Sequence, residues 1–177
     1  MKNFVITSDE ALCLYKWFEE NDIPIWIYGG WCVDALLGFE TRKHDDLDIV
    51  VNRKDNLKLY YLLKNNGYEE EKRDDSCEHN YVMRSKGGQL VDIHVFEYNQ
   101  KGENIYGAPY PFGSLTGKGK INGELVNCIS AEWMFKFKLW ANNTNCEPRK
   151  KDIIDAQVLS KKYGFKLPSN YMISINK

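Results

Sequence analysis

No Cys-x-x-Cys pair occurs in this sequence; its five cysteines, Cys13, Cys32, Cys77, Cys128 and Cys146, stand singly. That spacing and the odd number fit unpaired thiols in a reducing compartment better than a disulfide framework or a zinc site. No apolar run approaches the roughly 18 residues that span a bilayer. The N-terminal MKNFVITSDEALCLYKW turns polar at once, without the apolar stretch of a secretory signal. Neither sign of charge is in excess. Against 25 Asp and Glu, 24 Lys and Arg leave a formal net charge of -1, too little basic character to hold a nucleic-acid backbone. The expectation is a cytoplasmic protein without a membrane or nucleic-acid partner; a homodimer is compatible with it.

What is present is a composition 43% hydrophobic and 14% aromatic, enough for a packed core over 177 residues. Thr7 and Glu10 have capping-box spacing, and Ala11, Leu14, Tyr15 and Phe18 recur at helical intervals, which predicts a helix over 8–21. IPIWIY reads as a buried strand ending at Gly29-Gly30, WCVDALLG as a short helix stopped by Gly38, and LDIVV as a second strand. KDNLKLYYLLKNNGY predicts a helix offering Leu57, Tyr60, Tyr61 and Leu63 to the core. The acidic EEEKRDDSCEH after it reads as an exposed connection. YVMRSKGGQLVDIHVFEY gives two strands joined at Gly87-Gly88, and Asn122-Gly123 marks a second hairpin. Two helices follow from Ser130, the second with Pro148 in its first turn and Gly164 as its stop. The fold class is α+β: a mixed sheet with flanking helices over residues 1–129, then a helical subdomain over 130–177.

Two features of this pattern do not serve folding. Glycines weaken regular structure, yet Gly29-Gly30 closes an apolar strand. Carboxylates inside a buried strand cost several kcal/mol each unless compensated, yet HDDLDIVV carries Asp46 and Asp48 on one face and Leu47 and Ile49 on the other. Two like charges that close repel by about 1 kcal/mol even in a water-like dielectric. A divalent cation removes that cost, and magnesium suits one or two carboxylates together with phosphate oxygens. In QLVDIHVFEY, Val91, Ile93 and Val95 face the core while Leu90, Asp92 and His94 share the other face. If that strand adjoins the first, Asp92 completes a set of three carboxylates for metal binding or for deprotonating a hydroxyl. A strand running through glycines into a helix N-terminus seats phosphate on backbone N–H groups. Phosphate seat, metal carboxylates and a third acid together suit phosphoryl or nucleotidyl transfer.

The stretch GGWCVDALLGFETRKHDDLDI resembles the signature of the small antibiotic nucleotidyltransferases, which act on aminoglycosides and lincosamides and belong to the DNA polymerase beta-like superfamily. The shared elements are Gly29-Gly30-Trp31, Asp34, Leu37-Gly38, Arg42, His44 and Asp46-x-Asp48; VDIHVF is similar to the strand bearing that family's third acid, and KKDIIDAQVL to its C-terminal Lys-Asp-x-x-Asp helix. Similarity is strong over about 23–50 and weaker near 88–96 and 128–158. The long gap between Gly-Gly and Asp-x-Asp departs from the wider superfamily and is shared by the antibiotic branch.

The resemblance implies that ATP binds with its phosphates at Gly29 and Gly30 and Mg2+ on Asp46, Asp48 and Asp92. Arg42, His44 and Lys138 would neutralise the triphosphate, and Asp92 would assist a substrate hydroxyl. The implied product is an antibiotic carrying AMP. DIH after the third acid looks like the lincosamide enzymes and TRKHDD like the aminoglycoside 2″-type. A protein, an RNA end or a metabolite as acceptor, and a non-catalytic nucleotide-binding module, are the alternatives.

Overall fold

In the computed structural model, which describes residues 4–144 and 146–172, α1 (Ser8–Glu20) opens on the anticipated capping box. Thr7 Oγ1 accepts from the Glu10 N–H, and the Thr7 N–H donates to Glu10 Oε2 at 2.9 Å. Ala11, Leu14, Tyr15 and Phe18 are all buried, as their spacing predicts.

Among the described residues eight strands form one mixed sheet. They are β1 (Ile25–Ile27), β2 (Leu47–Asn52), β3 (Tyr68–Glu71), β4 (Asn80–Ser85), β5 (Leu90–Tyr98), β6 (Asn104–Gly107), β7 (Gly117–Ile121) and β8 (Glu124–Cys128). The order across the sheet is β3-β4-β5-β2-β1-β8-β7, with β6 pairing the far end of β5. β2 runs parallel to β5 and β1 parallel to β8; the other neighbours are antiparallel. The Asn122-Gly123 turn joins β7 to β8 as expected, with Asn122 at φ 51° and Gly123 at φ 82°. The helices α2 (Gly29–Leu37), α3 (Arg53–Asn65), α4 (Ala131–Lys138) and α5 (Lys150–Tyr163) complete the fold. Among the described residues no helix is long and apolar enough to cross a membrane.

Four local expectations need correction. First, the acidic stretch after α3 begins as a strand, β3, because it lies at the sheet edge: Tyr68 is buried while Glu69 and Glu70 face solvent, and backbone pairing to β4 holds it. Second, Leu63 of α3 is buried as expected, but Leu57 and Tyr61 are exposed, and Leu59, four residues before Leu63, is buried with it. Third, Gly29 and Gly30 do not precede α2 but are its first two residues, with Tyr28 as N-cap. Fourth, Pro148 stands just before the N-cap, Arg149, rather than inside the first turn of α5.

Candidate active site

The parallel pairing of β2 with β5 sets Asp48 directly beside Asp92 and Val50 beside His94. Strand alternation does the rest. Leu47, Ile49 and Val51 join Val91, Ile93 and Val95 in the core at 0% exposure, which turns Asp48, Asp92 and His94 to the opposite face. One ligand atom from each of these three lies within 4.8 Å of the others. Asp46 is outside that group because it precedes the first ladder residue of β2, but it borders the same cavity of about 480 Å³.

Electrostatics mark this corner as short of positive charge. Burial, reinforced by the Asp48 charge, pushes the Asp46 carboxyl up to about 6. Burial likewise raises Asp92, with Asp46 adding to the shift and His94 and Arg73 opposing it. Asp92 Oδ1 is buried without a hydrogen-bond partner. The nitrogens facing it stand off: His94 Nε2 is 3.5 Å from Asp92 Oδ1, and Arg73 Nη1 is 3.6 Å from Oδ2. A buried acceptor without a donor, among mutually repelling carboxylates, fits a divalent cation bound by oxygen ligands.

The two glycines explain themselves here. The Tyr28 N–H donates to the Asp48 carbonyl at 2.9 Å, drawing the start of α2 against β2. Gly29 adopts φ 59°, and a Cβ on it would overlap the Asp48 carboxylate. A Cβ on Gly30 would fall within 2.6 Å of Arg42 Nη2 and collide with the His44 ring. Only a chain without side chains at both positions can approach this closely.

Behind the glycines runs a buried polar chain. Asp34 accepts from Thr41 Oγ1 and lies 2.5 Å from His44 Nε2. Arg42 Nη1 is 3.0 Å from His44 Nδ1. Arginine can only donate, so Nδ1 is the acceptor and the ring proton sits on Nε2, facing Asp34. Arg42 then grips Asp155 of α5 through Nε at 3.1 Å and Nη2 at 3.0 Å. Lys138 reaches the same carboxylate at 2.8 Å and Asp152 at 3.4 Å. Burial works against the Asp152 carboxylate, yet hydrogen bonds from Arg149 and Trp140 hold it below its ordinary range.

All the expected site residues therefore border one cavity, but not with equal freedom. Arg42, His44 and Lys138 border it with their charge or polarity spent on Asp155, Asp152 and Asp34. Arg73, which the sequence pattern does not single out, and Lys151, the lysine of the Lys-Asp-x-x-Asp match, border it as well. Arg73 hid in the acidic connection; its signal was a lone arginine in a segment that returns to β4 beside Asp92. The pins to α5 carry a test. Asp155→Ala strands Arg42 without its anion and leaves Lys138 only the longer contact to Asp152, and a urea melt should show a loss of about 3–5 kcal/mol.

Paired acids on adjacent parallel strands, beside a helix that opens on two glycines, define the polymerase beta-like nucleotidyltransferase class of fold. The chain belongs to the aminoglycoside-2″-adenylyltransferase family, whose sequence model matches residues 11–159. It is 30% identical over 116 residues to a 2″-aminoglycoside nucleotidyltransferase of Klebsiella pneumoniae, a match covering 64% of this chain and 62% of that protein. The chain thus matches less than two thirds of that relative's length. It is also 28% identical over 142 residues to a lincosamide resistance protein of Staphylococcus haemolyticus, covering 77% of this chain and 87% of that one. Among solved structures, the lincosamide adenylyltransferase LnuA with lincomycin bound superposes with a TM-score of 0.73 at 22% identity, covering 88% of this chain and 98% of the other. ANT(2″)-Ia with adenylyl-2″-tobramycin gives 0.69 at 22% identity, covering 88% and 90%. At such identities the superpositions establish the shared fold.

Proposed function

We propose that this chain is an adenylyltransferase that moves AMP from ATP onto a hydroxyl of an aminoglycoside or lincosamide antibiotic. The observation that carries this reading is the in-register pairing of Asp48 with Asp92 against Gly29. Asp46, Asp48 and Asp92 would hold Mg2+, which when bound supplies charge neutralisation for the nucleotide phosphates. Gly29 and Gly30 present the N-terminal N–H groups of α2 to phosphate without a Cβ in the way. Asp92 takes the proton of the acceptor hydroxyl as that oxygen bonds to the α-phosphorus. The bond from the α-phosphorus to the bridging oxygen breaks in line, and pyrophosphate leaves with the electron pair. Burial raises the Asp92 carboxyl above the ordinary aspartate range, which makes it a stronger proton acceptor than an exposed aspartate and supports this assignment.

In this reading residues 1–129 form the nucleotidyltransferase domain with the acids and the phosphate seat, and the helices within 130–177 form a subdomain that closes one wall. The family and two of its relatives support the acceptor class. Incubation with ATP, MgCl2 and a panel of aminoglycosides and lincosamides, followed by mass spectrometry, should show one antibiotic gaining an adenylyl group. EDTA should abolish the gain. A panel in which no compound is modified, by protein that binds ATP, removes the antibiotic assignment. A polycationic acceptor is further expected to show a KM that rises with salt, whereas a lincosamide KM should scarcely move.

A further inference from the structure

Among the described residues six basic side chains border the cavity: Arg42, His44, Arg73, Lys138, Arg149 and Lys151. Four are committed. Arg42 is locked two-fold on Asp155, and Lys138 lies 2.8 Å from the same carboxylate. His44 uses both ring nitrogens, one towards Asp34 and one towards Arg42. Arg149 donates to Asp152 at 2.5 and 3.2 Å. Asp152 and Asp155 are themselves 0% exposed, so pulling any of these cations away would leave a buried carboxylate short of its partner.

The other two are different. Arg73 stands 3.6 Å from Asp92 and 3.5 Å from Glu71, beyond good hydrogen-bond distance for a guanidinium. Glu71 is engaged more closely by Arg84, so Arg73 loses little by leaving it. Lys151, exposed in the first turn of α5, makes no ion pair within 4.0 Å among the described residues. The two approach the carboxylates from different elements, Arg73 from the segment between β3 and β4 and Lys151 from α5. Asp46, Asp48 and Asp92 repel a polyphosphate, and side-chain cations free to turn to it offset that repulsion beyond what a bound metal supplies.

We propose that Arg73 and Lys151 are the side chains that grip the polyphosphate, and that Arg73 exchanges its loose contact with Asp92 for a phosphate oxygen. The assignment rests on the transferase reading and replaces the expectation that Arg42, His44 and Lys138 make that contact. Arg42, His44 and Lys138 act instead as positioning residues that fasten α5 to the glycine cradle. The planar fork of Arg73 suits two oxygens of one phosphate group, and Lys151 serves as a point charge.

Calorimetric titration of the full chain with inorganic tripolyphosphate, without metal, and separately with ATP and MgCl2, tests the assignment. Arg73→Ala and Lys151→Ala should each weaken both ligands roughly tenfold, with melting temperatures close to wild type because neither side chain is buried. Arg73→Lys should recover part of the loss. Unchanged affinities in both alanine variants, with wild-type binding intact, overturn the assignment while leaving the transferase reading in place. Wild-type protein that binds neither ligand overturns both.

Discussion

Asp48→Asn should abolish AMP transfer and, in metal-free buffer, leave a more stable protein. The two effects share one cause. Asp48 stands beside Asp92 and near Asp46, and burial with mutual repulsion already pushes Asp46 up to about 6. Asparagine keeps the volume and removes one of three like charges, a relief of order 1 kcal/mol. In a chain of this size that is a gain of about 2–4 °C in melting temperature. The sign of the pH dependence follows from the raised carboxyl. A folded-state Asp46 that holds its proton more tightly than the unfolded chain stabilises the metal-free protein most below about pH 4, and that contribution is lost as pH rises through about 6. The advantage of Asp48→Asn over wild type should therefore be large at pH 7.5 and shrink towards pH 5. Adding MgCl2 should reverse the ranking, raising the wild-type midpoint and scarcely moving the variant. Turnover should fall by about 10³-fold or more, the cost of removing a charge from the reacting centre. A variant that keeps most of its activity, or melts below wild type at pH 7.5 without metal, would falsify the role given to this carboxylate cluster.

The second large effect is expected at the glycines. Gly29→Ala places an L-residue at φ 59° and drives its methyl group into the Asp48 carboxylate. The backbone conformation alone costs about 1–2 kcal/mol. The collision cannot be relieved cheaply by turning the side chain, because it reaches back to the Asp48 Cβ, whose backbone is held by pairing with Asp92 and by the Tyr28 N–H. A displacement of about 1 Å at the phosphate seat should lower kcat/KM by about 10²-fold. Gly30→Ala should act by another route, pushing on Arg42 and His44 and so loosening the pins to Asp155 and Asp34. Its loss should appear first in stability, read by chemical denaturation, and then in activity. If both alanine variants bind ATP as wild type does, the close approach of α2 to β2 is not what shapes the site.

Much of this protein is legible in one dimension because its signals are periodic or covalent. Alternation along LDIVV and VDIHV tells which side chains share a face. Asn122-Gly123 tells where a hairpin turns, and Thr7 with Glu10 where a helix starts. The glycine pair and the three acids stand out because each contradicts the local folding preference, and such contradictions mark chemistry. Leu57 and Tyr61 could not be placed the same way. On α3 several faces carry apolar residues, and only the strands packed against the helix decide that Leu59, rather than Leu57 or Tyr61, is covered together with Leu63. The strand at Tyr68–Glu71 was hidden for a related reason: its side chains are acidic, and what holds it is backbone pairing with β4.

The sequence by itself determined that this chain carries carboxylates on the non-core face of two apolar strands and a glycine pair where a strand meets a helix. Periodicity and residue chemistry are local, and they survive reading without coordinates. Only the tertiary structure decided that β2 and β5 are parallel neighbours in a register that puts Asp48 beside Asp92. Only the tertiary structure, too, tied Arg42 and Lys138 to Asp155, more than 15 positions away along the chain in either case, leaving Arg73 and Lys151 the less committed cations. Which charges are spent and which are free depends on distances through space, and those exist only once the strands have paired and α5 has docked.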